Sequence, residues 1–268
     1  MLGAIIGDIV GSVYEFDNIK KKNFELFSQN SFFTDDSAMT VAISNALVAC
    51  KYNYGNLSNI AISKMQNTFE RYPELSYGQK FKFWLMAKKP MPYDSFGNGA
   101  AMRVSAVPYF AKDLDQVIEL SKKVTTVSHS HPEGIKGAEA TAVAIWLALH
   151  KKSKDEIKKH IEEFYYKLDF NYEDLKENYK YDETCQGTVP QAIYCFLIST
   201  DFEDALRTAV SIGGDSDTLC AITGAIAEAF YGIPEEIKKT AKKYMDRYIS
   251  KSYKAFIKKS NYKAYFND

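Results

Sequence analysis

Apolar residues in this chain recur at the spacing of a helix and almost nowhere at the spacing of a strand, and that periodicity restricts the fold more than any other feature. Met39, Ala42, Ile43, Ala46, Leu47 and Cys50 fall at i, i+3, i+4, i+7, i+8 and i+11, one stripe along one helix. Leu219, Ile222, Ile226 and Ala229 repeat the pattern, with alanine and glycine between them that let helices approach closely. The run from Glu139 to His150, EATAVAIWLALH, is apolar on most sides, as expected of a central helix. Alternating runs closed by hairpin turns are essentially missing, so the expected fold is all-α. No Pro/Gly/Ser-rich linker and no fixed-period repeat divides the chain. The charged, aromatic stretches at 51–90 and 151–184 read as surface helices and connections. The expectation is a single-domain orthogonal helical bundle covering 1–268, long enough to bury one sizeable core.

Composition excludes more than it assigns. Thirty-four basic and 34 acidic residues cancel, so no global field steers the protein to nucleic acid or a membrane. From Glu235 onward ten Lys/Arg face four Asp/Glu, which reads as a solvated helical face. The opening MLGAIIGDIVG lacks a basic leader and is interrupted by Asp8, so it does not read as a signal peptide, and no apolar run is long enough to span a bilayer. Cys50, Cys185, Cys195 and Cys220 have no metal-like spacing and read as small buried hydrophobes. A cytoplasmic monomer is the expectation.

Chemistry concentrates in acidic clusters at two helix starts. FTDDSAMT puts Thr34, Asp35 and Asp36 ahead of the stripe that begins at Met39, and GGDSDT puts Asp215, Asp217 and Thr218 ahead of the second stripe. Taken singly, each is explained by capping, which satisfies orphan N–H groups and complements the helix dipole. Together they offer four carboxylates and at least two hydroxyls, more than two caps need. Crowded carboxylates become favourable when a divalent cation neutralises them, and an all-oxygen set suits Mg²⁺ or Mn²⁺ better than zinc. Four could hold two ions if the fold joins the helix starts.

Three further segments accompany them. In GAIIGDIVGSVYEF, Gly3, Gly7 and Gly11 recur every four residues and give a flat face for helix packing, which leaves Asp8 and Glu15 unexplained. Asp8 suits a cap or a support behind a ligand, and Glu15 a general acid or base. Gly97, Asn98 and Gly99 form a turn before a helix, where bare N–H groups can cradle phosphate. His129 and His131 lack the partners of a zinc site, and a hydrogen bond from a histidine to phosphate or ribose is the functional reading.

With its segments GAIIGDIVGSVYE, FTDDSAMT, GNGAAMR, SHSHPEGIKGA and GGDSDTLCAITGAIAEAFYG in order, the chain resembles the ADP-ribosylglycohydrolase family from about Gly3 to Gly232. The resemblance implies an all-α fold with a binuclear Mg²⁺ or Mn²⁺ centre at the bottom of a cleft for ADP-ribose. It implies metal ligation by Thr34, Asp35, Asp36, Asp215, Asp217 and Thr218, with Asp36 also acting in catalysis. Glu15 matches a glutamate that is catalytic in some members, and Gly97, Asn98, Gly99 and His129 match segments lining the ADP-ribose site. Ser37 and Ser216 stand where threonine is usual, and both keep a hydroxyl. Arginine-specific members use an aspartate near the equivalent of the Asp94 loop, which makes Asp94 a catalytic candidate. The implied activity is hydrolysis of the bond between ADP-ribose and its acceptor, arginine-linked protein first, with serine, nucleic-acid and small-molecule linkages also open. The rivals are a silent ADP-ribose binder or structural protein on the same scaffold, and a two-metal phosphohydrolase.

Overall fold

A computed structural model describes residues 1–266, so Asn267 and Asp268, the end of the expected domain, lie outside the described residues. Among the described residues the elements are helical, joined by two short 3₁₀ turns, and no strand forms. The first third of the chain holds α1 (Leu2–Gly11), α2 (Asp35–Cys50), α3 (Leu57–Arg71) and α4 (Gln79–Met86). The short α5 (Gly99–Met102) leads to α6 (Leu114–Thr125) and α7 (Pro132–Leu149). Then come α8 (Lys154–Phe164), α9 (Tyr172–Asn178), α10 (Cys185–Ile198), α11 (Phe202–Ile212) and α12 (Ser216–Tyr231). The chain closes with α13 (Glu235–Ala241), α14 (Arg247–Lys259) and α15 (Tyr262–Tyr265).

Both predicted stripes are buried, and the structure buries more than the stripes. Helix α2 is covered by α3 on one side, α14 on another and α1 near its start, so almost its whole circumference is apolar or small. The expected central helix begins earlier than Glu139, at Pro132, with His131 as its cap. It shares the centre with α12, which packs against α1, α7, α10 and α11 and is buried from Ser216 to Ala229. Small residues make that possible: a Cβ on Gly224 would overlap the Gly3 carbonyl oxygen, and one on Gly7 would lie 2.8 Å from the Ala221 nitrogen, so the two helices meet backbone to backbone.

The closest of these contacts positions the site. Every residue of α1 is buried, and α1 and α12 form the most extensively packed helix pair. A Cβ on Gly3 would overlap the Gly224 carbonyl oxygen, one on Gly7 that of Cys220, and one on Gly11 that of Ser216. The glycine face therefore brings α1 flush with the first turn of α12, where Asp217 sits.

Candidate active site

The turn before α12 is built for its conformation. Gly213 and Gly214 adopt φ of 72° and 80°, a region that side-chain-bearing residues rarely occupy. Asn18 clamps this turn from the loop after α1: its Oδ1 accepts from the Gly214 N–H (2.7 Å) and its Nδ2 donates to the Gly214 carbonyl (3.0 Å). Lys20 Nζ donates to the carbonyls of Tyr179 (2.8 Å) and Ile212, tying a third segment to the same turn. Asp215 stands at the N-cap of α12 but makes no capping bond. Its Oδ2 instead accepts from Asn98 Nδ2 at 2.7 Å, which turns the carboxylate from its own helix toward the cleft.

At the head of α2 capping is real but partial. Thr34 Oγ1 accepts from the Asp36 N–H at 3.2 Å, which leaves Asp35 and Asp36 free of that task. Behind them lies Asp8 of α1, fully buried. It accepts from the Thr34 N–H (2.9 Å), the Thr34 hydroxyl (2.7 Å), the Ser37 N–H (3.0 Å) and the Ser37 hydroxyl. Burial pushes its carboxyl up to about 6 even with these donors. Asp8 is thus the support that seats the first acidic helix start. Asp8→Ala should orphan several buried donors and cost about 2–3 kcal/mol of stability. It should also weaken Mn²⁺ binding about 10- to 100-fold, measured by calorimetric melting and Mn²⁺ titration.

The two helix starts meet at one cleft of about 470 Å³. Thr218 Oγ1 donates to Asp36 Oδ2 at 3.3 Å, a direct link between them. Glu15, Asp215 and Asp217 each present an oxygen within 4.8 Å of the others, and Asp35 and Asp36 line the same cavity. Asp36 Oδ1 is buried with no hydrogen-bond partner. Such an oxygen costs free energy unless something satisfies it, and an all-oxygen donor set containing it fits a hard divalent cation. Thr34 is buried and does not line the cleft, since its hydroxyl is committed to Asp8.

Without a cation the cluster strains against its own charge. Burial, reinforced by neighbouring carboxylates, pushes Asp35 and Asp217 up to about 7 and Asp36 and Asp215 well above the usual carboxylate range. Because these groups bind protons more tightly folded than unfolded, metal-free protein gains stability as pH falls and loses it as pH rises from about 4 through about 7. In EDTA the melting temperature at pH 5 should exceed that at pH 8 by about 5 °C or more, and saturating Mg²⁺ should abolish the difference. Identical pH dependence with and without Mg²⁺ would contradict a cation at this cluster.

The other sequence candidates also reach the cleft. Gly97, Asn98, Gly99 and His129 line it, and a Cβ on Gly97 or Gly99 would lie 3.7 or 3.5 Å from His129 Nε2, so both glycines sit directly against that ring nitrogen. Asp94 lies on the wall with φ of 55°, its N–H donating to Ser130 Oγ at 3.1 Å. His131 caps α7 by accepting from the Glu133 N–H (3.1 Å). Glu15 is half-buried, its carboxyl pushed up to about 7 by burial and then by Asp215 and Asp35. It accepts from the Tyr181 hydroxyl at 3.4 Å, and Tyr181 stacks on the exposed Phe16 (centroids 6.2 Å apart). Tyr181, Asn18, Lys20 and the Ser76 hydroxyl beside Asp35 carry no motif. Only spatial proximity identifies them.

A profile of the ADP-ribosylglycohydrolase family matches residues 1–261. The chain belongs to the ADP-ribosylglycohydrolase family. Among its relatives, "ADP-ribosylhydrolase ARH3" of Mus musculus is 26% identical over 311 residues, covering 88% of this chain and 83% of that protein. The Homo sapiens protein of the same name is 25% identical, covering 91% and 88%. "Putative ADP-ribosyl glycohydrolase L543" of Acanthamoeba polyphaga mimivirus is 24% identical, covering 86% and 85%. A solved structure titled "ADP-ribosylglycohydrolase-related protein complex" superposes with a TM-score of 0.70 at 18% identity, covering 95% of this chain and 93% of that one. That likeness establishes the shared all-α fold. In this member of the family, the glycine-faced α1 and the two acidic helix starts are the parts that build the cleft.

Proposed function

We propose that the protein, as one domain over 1–268, is a metal-dependent ADP-ribosyl hydrolase that cleaves the glycosidic bond between ADP-ribose and its acceptor. The observation that carries this reading is the convergence of two acidic helix starts on one cleft, with a buried Asp36 oxygen left unpartnered. Asp35, Asp36, Asp215, Asp217 and Thr218 are the residues suited to hold two Mg²⁺ or Mn²⁺ ions, with Thr34 steadying the group from behind. When bound, such ions supply Lewis acidity at the oxygens they hold.

The chain's own groups account for the rest. As the bond from C1″ to the acceptor lengthens, its electron pair stays with the acceptor atom and positive charge grows on the ribose, which the surrounding carboxylates stabilise. Water oxygen bonds to C1″ and loses a proton to Glu15, and the acceptor atom gains one, so the products are ADP-ribose and the free acceptor. A half-buried carboxyl at the edge of the cluster, within reach of the cleft, is placed to take up the one proton and deliver the other. An arginine-linked protein is the favoured substrate: Asp94 and Glu183 line the cleft beyond the central cluster and suit a cationic acceptor. Four buried free cysteines agree with a reducing, cytoplasmic setting, and we take the working unit to be the monomer.

The test is release of ADP-ribose from arginine-, serine- and nucleic-acid-linked substrates with Mg²⁺ or with EDTA. Release from one linkage, abolished by EDTA, supports the hydrolase and names its acceptor. AMP in place of intact ADP-ribose would assign a phosphohydrolase, and silence with retained ADP-ribose binding would assign a binder.

A further inference from the structure

At the end of α5 stands a buried cation with no carboxylate paired to it among the described residues. Arg103, fully buried, donates through Nη2 to Ser128 Oγ (2.8 Å) and to the carbonyls of Val124 (3.3 Å) and Thr125 (3.5 Å). Its Nε and Nη1 find no partner, and its guanidinium lies 5.4 Å from the centre of the Phe81 ring. Burial lowers its pKa only to about 10, so it stays charged at neutral pH. Ser128 Oγ is also 2.9 Å from His129 Nδ1.

Counting protons fixes the histidine. A guanidinium can only donate, so Ser128 Oγ accepts from Arg103, and its single O–H proton remains to be placed. His129 Nδ1 is the other partner it has. If Nδ1 carried a hydrogen, the buried serine proton would have no acceptor, at a cost that buried polar groups rarely bear. Nδ1 is therefore the acceptor, and the ring's hydrogen is on Nε2. An imidazolium fails the same count, and burial beside Arg103 holds the ring neutral, well below the usual histidine range. Phe81 and Tyr93, with centroids 6.0 and 5.8 Å from the imidazole, keep its orientation.

We propose that Arg103 and Ser128 are positioning residues that hold His129 as the neutral Nε2–H tautomer, a fixed donor beside Gly97 and Gly99 for a diphosphate oxygen of the bound nucleotide. A neutral donor keeps this wall of the cleft ready for the anion whatever the pH between about 6 and 8, because no proton has to be gained first. For its ligand the inference rests on the ADP-ribose reading above.

Heteronuclear NMR of His129 in the Mg²⁺-supplemented protein, without nucleotide, reads the tautomer directly. Expected is a protonated Nε2 and an unprotonated Nδ1; a protonated Nδ1 at neutral pH overturns the relay. In Ser128→Ala the lock is lost, the Nε2–H signature weakens, and ADP-ribose affinity falls about fivefold, against about tenfold or more for His129→Ala. The His129→Ala loss should be the same for ADP as for ADP-ribose, and a loss confined to ADP-ribose would transfer the donor to the distal ribose and overturn the assignment. Wild-type affinity for both ligands in Ser128→Ala would also overturn it. If the wild-type protein fails to bind ADP-ribose, the function proposed above fails, and the nucleotide-free spectrum still judges the relay separately.

Discussion

Asp217→Ala is expected to abolish ADP-ribose release, lowering turnover by about a thousandfold or more. Asp217 belongs to the trio with Glu15 and Asp215 whose oxygens converge within 4.8 Å, and it is buried beside them. Its loss would remove one of the carboxylates suited to hold the ions, next to Thr218, which links the two helix starts. Asp217→Asn separates charge from shape, since the amide oxygen still accepts from the Thr218 N–H, a bond of 2.9 Å in the native protein. That variant should be equally inactive, yet in EDTA it should be more stable than the wild type by about 1–3 kcal/mol, because one buried like charge has been removed. Adding Mg²⁺ should stabilise the wild type and leave the variant nearly unmoved. Melting curves with and without Mg²⁺, beside the activity assay, check all three statements; near-normal turnover in either variant would sink the metal assignment.

Gly7→Ala should be the most damaging single-methyl change in the chain, costing about 3 kcal/mol or more. The added Cβ would overlap the Cys220 carbonyl oxygen and press on the Ala221 nitrogen, and both are backbone atoms in the middle of α12. A side chain can rotate aside, whereas a helix backbone can only move as a body. Relief therefore means moving α1 from α12, which displaces Asp8 from Thr34 if α1 gives way and Thr218 from Asp36 if α12 does. The variant should lose stability and Mn²⁺ affinity together. Gly78→Ala is the control: a Cβ there meets nothing within 4 Å, and its stability should stay within about 0.5 kcal/mol of wild type. Equal melting temperatures for the two variants would refute the packing account.

Periodicity made the architecture legible because a helix advertises its buried face in the chain itself. The stripe at Met39–Cys50 and the small-residue run after Asp217 both became core helices. Periodicity understated α2 and α12, since a helix packed on several sides by distant segments shows no single face. Singly each acidic pair reads as a cap; together they stood out because four carboxylates exceed what two caps require, and the structure brings both pairs into one cleft. The contacts that aim them were illegible: Asn98 on Asp215 spans 117 positions, Tyr181 on Glu15 spans 166, and Asn18 on Gly214 spans 196. Such pairs share no local pattern, only the fold. Asp8 was a middle case: its charge in an apolar run was conspicuous, but four donors from one turn could be counted only in three dimensions.

The pairing of α1 with α12 has a consequence for how the protein comes into being. During synthesis the first acidic helix start and its supporting aspartate emerge early, but the surface that α1 needs is more than 200 residues away in the chain. Until α12 has left the ribosome, a ten-residue helix that is apolar but for Asp8 lacks its main packing surface, and that face must be shielded from solvent by other segments or by a chaperone. Contacts between such distant segments close late, because the long intervening loop must be ordered first. Nascent chains halted before Ser216 should therefore neither retain Mn²⁺ nor resist protease around Leu2–Gly11, and both properties should arrive together once Tyr231 is exposed.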